Sequence, residues 1–318
     1  MTTEVSRYLL KLAKRLFPDV NEQDAFMAAL SGSSAPEPAL IWMRDEQRPG
    51  PFKVAEPLSW QPDFSDRIKG DERPGASSMH EEGEYYCMDL SSIFQAAPAH
   101  AVHEPCDSVL DVCASPGGKS VYYWRVLKPE FLICNEAVKN RVRALISNLK
   151  RCRIAPAAVA SLSAPALAER FPNAFELVIV DAPCSGQSLL AKGASSPGCF
   201  HPSTVNMNAN RQKKIIANAA SCTAPGGYLA YSTCTFSREE NEGVVEWFLR
   251  KFPRFESLPL CTVEPHRSPL SDYYCYRLYP QQHMGAGGFT ALFKDKRREE
   301  KTAIRLDDHQ FWWSTFNG

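Results

Sequence analysis

From about residue 106 to residue 294 short apolar runs alternate with amphipathic segments, and that alternation constrains the fold more than any other feature of the chain. "DSVLDVC", "FLICNE", "ELVIVD" and "YLAYST" read as strands. "VYYWRVL", "AVKNRVRALISNLKRC" and "RQKKIIANAASCT" lie between them, "REENEGVVEWFLRKF" follows the last, and all four read as helices. In the second, Val138, Val142, Leu145, Ile146 and Leu149 share one face at helical spacing. "YYCYRLYP" and "GGFTALF" close the series as two further strands. Strands alternating with helices bury both faces of a mostly parallel sheet. The pattern therefore predicts a doubly wound α/β domain whose ligands bind beyond the carboxyl ends of the strands.

This domain is expected over residues 76–295. Residues 1–75 read as a small α+β unit and linker, with helices near 4–17 and 22–31 and a strand in "PALIWMR". Leu9, Leu12, Leu16 and Phe17 supply the apolar face of the first helix. Residues 296–318 form a charged tail ending in Phe311, Trp312 and Trp313, expected to dock as a helix, with stacking on bases as the alternative.

No apolar run approaches the ~20 residues of a membrane helix, and the N-terminal stretch lacks the cleavage pattern of a secretory signal. Eleven cysteines occur without the paired spacing of a zinc site, so no metal is expected and most thiols read as small core residues of a cytoplasmic protein. Lys plus Arg (36) balances Asp plus Glu (36), so net charge carries no signature of a nucleic-acid partner. The local cluster Lys139, Arg141, Arg143, Lys150, Arg151 and Arg153 is either a solvated helix face or a phosphate-facing one.

Two strand ends carry the features of a cofactor site. "VLDVCASPGGKS" joins a strand to a helix through a glycine turn, where the backbone can approach a ligand and the helix N-terminus favours negative charge. It has neither the dinucleotide-binding nor the P-loop spacing, and a plain tight turn would also account for it. Glu136 follows the next strand, where an acid in a βαβ unit can accept from ribose hydroxyls; the alternative is a helix acid stabilised by the dipole. Two more strand ends each present a thiol, Cys184 in "DAPCSG" and Cys234 in "STCT".

These pieces resemble the RsmB/RsmF and Nop/Sun family of RNA cytosine carbon-5 methyltransferases. The resemblance rests on "LDVCASPGGKS", "NE" at 135–136, "DAPCSG" at 181–186, "PGGYLAYSTCTFSREENE" at 225–242 and "GGF" at 287–289, with "EEGEYYCMDLSSIF" similar to the lead into the catalytic domain. It implies a Rossmann-like class I methyltransferase fold, S-adenosylmethionine as cofactor and RNA, ribosomal or transfer, as substrate. It also implies Cys234 as the nucleophile that adds to carbon 6 of the base and Cys184 as the thiol that assists release. Asp181 would hydrogen-bond the base and Lys119 would point into the same pocket. The stretch Cys113, Ala114, Ser115, Pro116, Gly117, Gly118 and Lys119, with Glu136, Ser163 and Asp181, would hold the cofactor.

The fit has departures. "AVASLSAPALAERFPN" offers Ser161 and Ser163 where the family carries an aspartate near the adenine, and the stretch after Gly186 lacks the usual arginine-rich start. A catalytically silent RNA-binding or ribosome-assembly factor on the same fold is the competing reading, opposed by the joint presence of Cys234, Cys184, Asp181 and Lys119. A DNA cytosine enzyme would lack the "STCT" thiol, and an amine methyltransferase would want a D/N-P-P-Y/F/W loop. Nothing in the residues fixes the oligomeric state, and a monomer is the working expectation.

Overall fold

In a computed structural model, residues 7–32, 38–44, 50–70, 72–103, 105–304 and 311–316 are described. Two helices, α1 (Arg7–Leu16) and α2 (Val20–Ser31), lead into β1 (Pro38–Trp42) and β2 (Ser65–Arg67). A single turn, α3 (Ser78–Glu81), precedes β3 (Tyr85–Asp89) and α4 (Leu90–Gln95). The alternating region follows as β4 (Ser108–Asp111), α5 (Gly118–Leu127), β5 (Phe131–Asn135), α6 (Lys139–Arg151), β6 (Ala157–Ala160), α7 (Ala164–Arg170) and β7 (Phe175–Asp181). It continues with α8 (Pro202–Cys222), β8 (Thr223–Thr233), α9 (Glu242–Lys251), β9 (Phe255–Leu258), β10 (Tyr276–Leu278) and β11 (Gly288–Asp295), and β12 (Trp313–Ser314) comes last.

The large sheet runs β10-β11-β8-β7-β4-β5-β6-β12, with β9 paired to β11. Its centre is parallel: β8 on β7, β7 on β4, β4 on β5 and β5 on β6. Side chains alternate across a strand, and the two apolar sets go to different layers. Val109, Leu132, Leu177 and Ile179 pack with Val121, Val142, Leu145 and Leu149 of α5 and α6. Leu110, Ile133, Val178 and Val180 pack with Leu167, Ile216 and Phe248 of α7, α8 and α9. The doubly wound α/β expectation holds, with helices on both faces of a mostly parallel sheet.

Several elements differ from expectation. Strand β6 was not anticipated. Helix α8 begins at Pro202, nine residues before "RQKKIIANAASCT", and α9 begins at Glu242, so Arg238–Asn241 form a turn rather than its first turn. "APGG" lies within β8, whose pairing with β7 is irregular there, instead of forming a turn before it. The tail docks as the short strand β12 on the edge of β6, not as a helix. Residues 4–6 of the expected first helix lie outside the described residues.

The N-terminal helices pack onto the alternating region. Leu9, Ala13, Leu16, Phe17, Phe26 and Leu30 form one cluster with Ala191, Phe236 and Ala286, and Phe26 meets Phe236 edge to face at 5.1 Å. Strand β1 pairs with β2 on one side and β3 on the other in a second sheet, so a line drawn at residue 75 runs through that sheet.

Candidate active site

The carboxyl ends of β4, β5, β7 and β8 converge. At the end of β4, Asp111 is fully buried; its Oδ2 accepts from Ser120 Oγ at 2.7 Å and its Oδ1 from the Cys113 amide at 3.2 Å. Burial, reinforced by nearby Asp181, pushes its carboxyl up to about 7 against the pull of these hydrogen bonds. The backbone then runs through Ala114, whose amide donates to Asn135 O at 2.8 Å, to Gly117, which opens α5. Gly117 has φ +113°, a conformation L side chains rarely adopt, and a Cβ there would lie 3.1 Å from Leu145.

Glu136 follows β5 and is 4 % exposed. Its Oε1 accepts from the Val138 amide at 2.9 Å, and Arg141 Nη1 lies 3.1 Å from its Oε2. Arg141 also donates to Ser115 O at 2.6 Å, so one guanidinium ties the glycine loop to the acid. Arg141 and Arg151, which donates to His80 O at 2.8 Å, are thereby structural members of the expected basic cluster. Of the two serines after β6, Ser163 is exposed and caps α7, accepting from the Ala166 amide at 3.4 Å. Ser161 Oγ is the buried one, and it has no hydrogen-bond partner among the described residues. A buried hydroxyl without a partner carries a desolvation cost that a ligand can relieve. The acid, the glycine loop and this hydroxyl suit a nucleoside-bearing cofactor.

At the ends of β7 and β8 the catalytic candidates meet. Lys119 Nζ, 2.9 Å from Asp181 Oδ2, reaches across from the first turn of α5. Asp181 Oδ1 accepts from Ser232 Oγ at 2.9 Å, which the pairing of Asp181 with Ser232 across β7 and β8 makes possible. The thiols of Cys184 and Cys234 are 3.0 Å apart. Their protons are held unequally. The Cys184 hydrogen bond lowers the Cys234 thiol below its usual range, against burial and Asp181 and with help from Lys119 and Lys192. The same contact, with burial and the charge of Glu240, raises Cys184 well above its usual range. Of the pair, Cys234 is the more acidic thiol and Cys184 the less acidic one. The expected helix N-terminus at Ser237 is not its source, since α9 starts at Glu242.

A second layer, unrecognised from the residues alone, holds the two thiol loops together. Glu240 is fully buried and accepts four hydrogen bonds: from the Ser185 amide (2.9 Å), Ser185 Oγ (2.6 Å), Gln212 Nε2 (2.9 Å) and Ser237 Oγ (3.0 Å). Asn241 accepts from Thr233 Oγ1 at 2.6 Å and donates to Thr235 O at 2.9 Å, bracketing Cys234. Behind them Arg277 is paired with Glu242 in the interior and donates to Phe236 O. All these partners sit inside the quoted motifs or one helix away; the density of hydroxyl residues around Cys234 was the available signal.

The family described as 16S rRNA methyltransferase RsmB/F matches residues 101–294. The chain belongs to that family. It is 30% identical over 244 residues to Ribosomal RNA small subunit methyltransferase F of Cronobacter sakazakii, covering 75% of this chain and 51% of the relative. The protein of the same name from Klebsiella pneumoniae is 34% identical over 188 residues, covering 58% of this chain and 39% of that one. The chain therefore spans about half the length, or less, of these curated relatives. Among solved structures the fold matches PH0851 with a TM-score of 0.78 at 22% identity, covering 91% of this chain and 65% of that one. It also matches NSun6 from Pyrococcus horikoshii, solved with SFG, with a TM-score of 0.69 at 18% identity, covering 92% and 99%. The Rossmann-like methyltransferase fold expected from the family motifs is the fold this RsmB/F chain adopts. Among the described residues no His, Cys, Asp and Glu cluster suits a metal, and no helix is long and apolar enough to cross a membrane.

Proposed function

We propose that this chain methylates carbon 5 of a cytosine in RNA, through a covalent adduct between Cys234 and carbon 6 of the base. The observation that carries the reading is the 3.0 Å contact of two thiols with opposite proton demands. S-adenosylmethionine supplies an electrophilic methyl group, held by the loop Cys113–Lys119, Glu136 and the region of Ser161, with Asp181 beside it. The names of the relatives, with their small-subunit rRNA, make ribosomal RNA the favoured substrate class.

Carbon 5 of cytosine is too weak a nucleophile to take a methyl group unaided. The Cys234 thiolate adds to carbon 6, forming an S–C bond and delivering electron density to carbon 5. Asp181, oriented by Lys119 and Ser232, hydrogen-bonds the N3 and N4 edge of the base. Carbon 5 would then take the methyl group as its bond to the sulfonium sulfur breaks and S-adenosylhomocysteine leaves. A water molecule accepts the carbon-5 proton, the freed electron pair restores the ring double bond, and Cys234 leaves as a thiolate. Cys184 donates its hydrogen bond to the departing sulfur and so assists release. A base must leave its stack to reach this site, which favours a loop or distorted helix as target.

The test is a denaturing gel of protein mixed with labelled cellular RNA and S-adenosylmethionine, comparing wild type with Cys184→Ala and Cys234→Ala. A slow RNA-linked band that accumulates in Cys184→Ala and is missing in Cys234→Ala is the expected result. The reverse pattern would exchange the roles of the thiols, and no band with any RNA pool would favour the silent-factor reading.

A further inference from the structure

A cavity among the described residues lies outside the catalytic machinery. It lies between α1 and the segment that follows Cys184, has a volume of about 300 Å³, and its lining includes Tyr8, Lys11, Arg15 and Phe200, the acid Glu239, and Gln187 and Ser237. Those last two residues fix its position. Gln187 is three residues beyond Cys184 and Ser237 three beyond Cys234, so the cavity wall starts within about 11 Å of either thiol, Cα to Cα. Gln187 is rigidly held: its Oε1 accepts from the Phe236 amide at 2.9 Å and its Nε2 donates to Cys199 O at 3.0 Å.

The other wall is basic. The sequence of α1, "RYLLKLAKRL", carries four positive charges and no acid. Its apolar side, Leu9, Ala13 and Leu16, is buried in the cluster shared with Phe236, which leaves Arg7, Lys11, Lys14 and Arg15 exposed. In a chain with no net charge this is a concentration of cations, and two of them, Lys11 and Arg15, line the same cavity as Gln187 and Ser237. Lys11 has no ion-pair partner among the described residues. Arg15 is paired with Glu239, and both are well exposed, so that pair exchanges readily for a phosphate.

We propose that this cleft is an RNA subsite that takes one nucleotide flanking the target cytosine, its base against Tyr8 and Phe200 and its phosphate on Lys11 and Arg15. The inference rests on the RNA reading above and adds to it where the strand runs. The volume sits at the lower end of the ~300–1,000 Å³ typical of small-ligand sites, which admits a single base and excludes a duplex. Aromatic faces with neighbouring cations are the usual means of holding single-stranded nucleic acid. Tyr8 already meets His201 edge-on at 5.1 Å, so its ring is oriented from behind.

The experiment uses the full chain and single-stranded oligoribonucleotides of mixed sequence carrying 4-thiouridine next to a central cytosine. After irradiation, cross-linked peptides are mapped in wild type. In parallel, methyl transfer and RNA binding are compared across salt for wild type, Lys11→Ala/Arg15→Ala, Tyr8→Ala, and the control Arg250→Ala/Lys251→Ala on the remote end of α9. Cross-links in the peptides holding Tyr8 or Phe200 are expected. The double cleft variant is expected to raise KM for RNA about ten-fold with kcat within about two-fold, and to flatten the salt slope by about 0.7 for the one phosphate no longer neutralised. The control should behave as wild type. Cross-links confined to other peptides, or a salt slope and KM unchanged in the double cleft variant, would overturn the subsite while methyl transfer by wild type leaves the enzyme reading standing. A wild type that neither binds nor methylates RNA would overturn both.

Discussion

The hydroxyl oxygens of Ser185 and Thr235 lie 2.8 Å apart, and each residue directly follows one of the two thiols. With the Ser185 proton given to Glu240, Thr235 is the donor of that pair. The 3.0 Å approach of Cys184 to Cys234 is thus set one residue away, by a hydroxyl pair clamped on a buried acid.

Glu240 is therefore expected to act as a positioning residue. Glutamine keeps its shape but replaces one acceptor oxygen with an NH2 donor, so the Ser185 and Ser237 hydroxyls must accept from it and give up the bonds they donate to Glu240. Glu240→Gln should cost about 1–3 kcal/mol in urea unfolding and lower kcat about ten- to a hundred-fold, with cofactor affinity unchanged. A merely structural role would lower stability alone. Pre-steady-state formation of the RNA-linked adduct separates the two cases, since a misplaced Cys234 slows adduct formation in the fraction that is folded.

The thiols should differ in reactivity in a pH-dependent way. Cys234 is held toward thiolate by the Cys184 hydrogen bond and by Lys119 and Lys192, whereas Cys184 is held protonated. Iodoacetamide at neutral pH should modify Cys234 first, read by mass spectrometry of the two peptides. Lys119→Met and Cys184→Ala should each move the Cys234 profile to higher pH, because each removes a contact that favours the thiolate. Equal rates at Cys184 and Cys234 across pH would contradict the assignment.

Ser161 and Ser163 give a paired contrast. Ser161→Ala removes the buried hydroxyl available to a ligand and should weaken binding of S-adenosylhomocysteine about two- to ten-fold in calorimetry. Ser163→Ala should leave that affinity within about two-fold and cost about 1 kcal/mol through loss of the α7 cap. Ser163→Asp keeps a capping oxygen and should not weaken cofactor binding. The opposite ranking would return the ligand-facing role to Ser163.

What could be read from the residues was whatever neighbours in the chain decide. Val109, Leu132, Leu177 and Leu229 sit in apolar runs long enough to announce β4, β5, β7 and β8, and the two thiols stood at the ends of such runs. Strand β6 is three alanines and Val159, too short an apolar run to announce itself, and it is made a strand by its place between β5 and β12. Helix α8 starts early because His201 caps it and Pro202 occupies its first turn; its buried residues there include the polar Asn208, so no apolar stripe marked it. Glu240 stood in the acidic first turn expected of the helix "REENEGVVEWFLRKF". Its burial depends on Ser185, 55 residues away, and no local pattern contains that partner.

Asp111 provides a test of the cofactor end that needs no ligand. Its carboxyl is shifted from 3.8 to about 7 by complete burial, so between those values the folded protein binds a proton that the unfolded chain has released. Since stability follows the protons bound by the unfolded state minus those bound by the folded one, this group makes stability fall as pH rises from about 4 to about 7. The shift of about three units sets a ceiling on the order of 4 kcal/mol on that loss. Asp111→Asn keeps an acceptor for Ser120 or Cys113 without a titrating proton. Its urea midpoint relative to wild type should therefore improve on going from pH 5 to pH 8. A difference between wild type and Asp111→Asn that stays constant over that range would mean that Asp111 is already ionised in the fold, held by Ser120, the Cys113 amide and Lys119 against its burial.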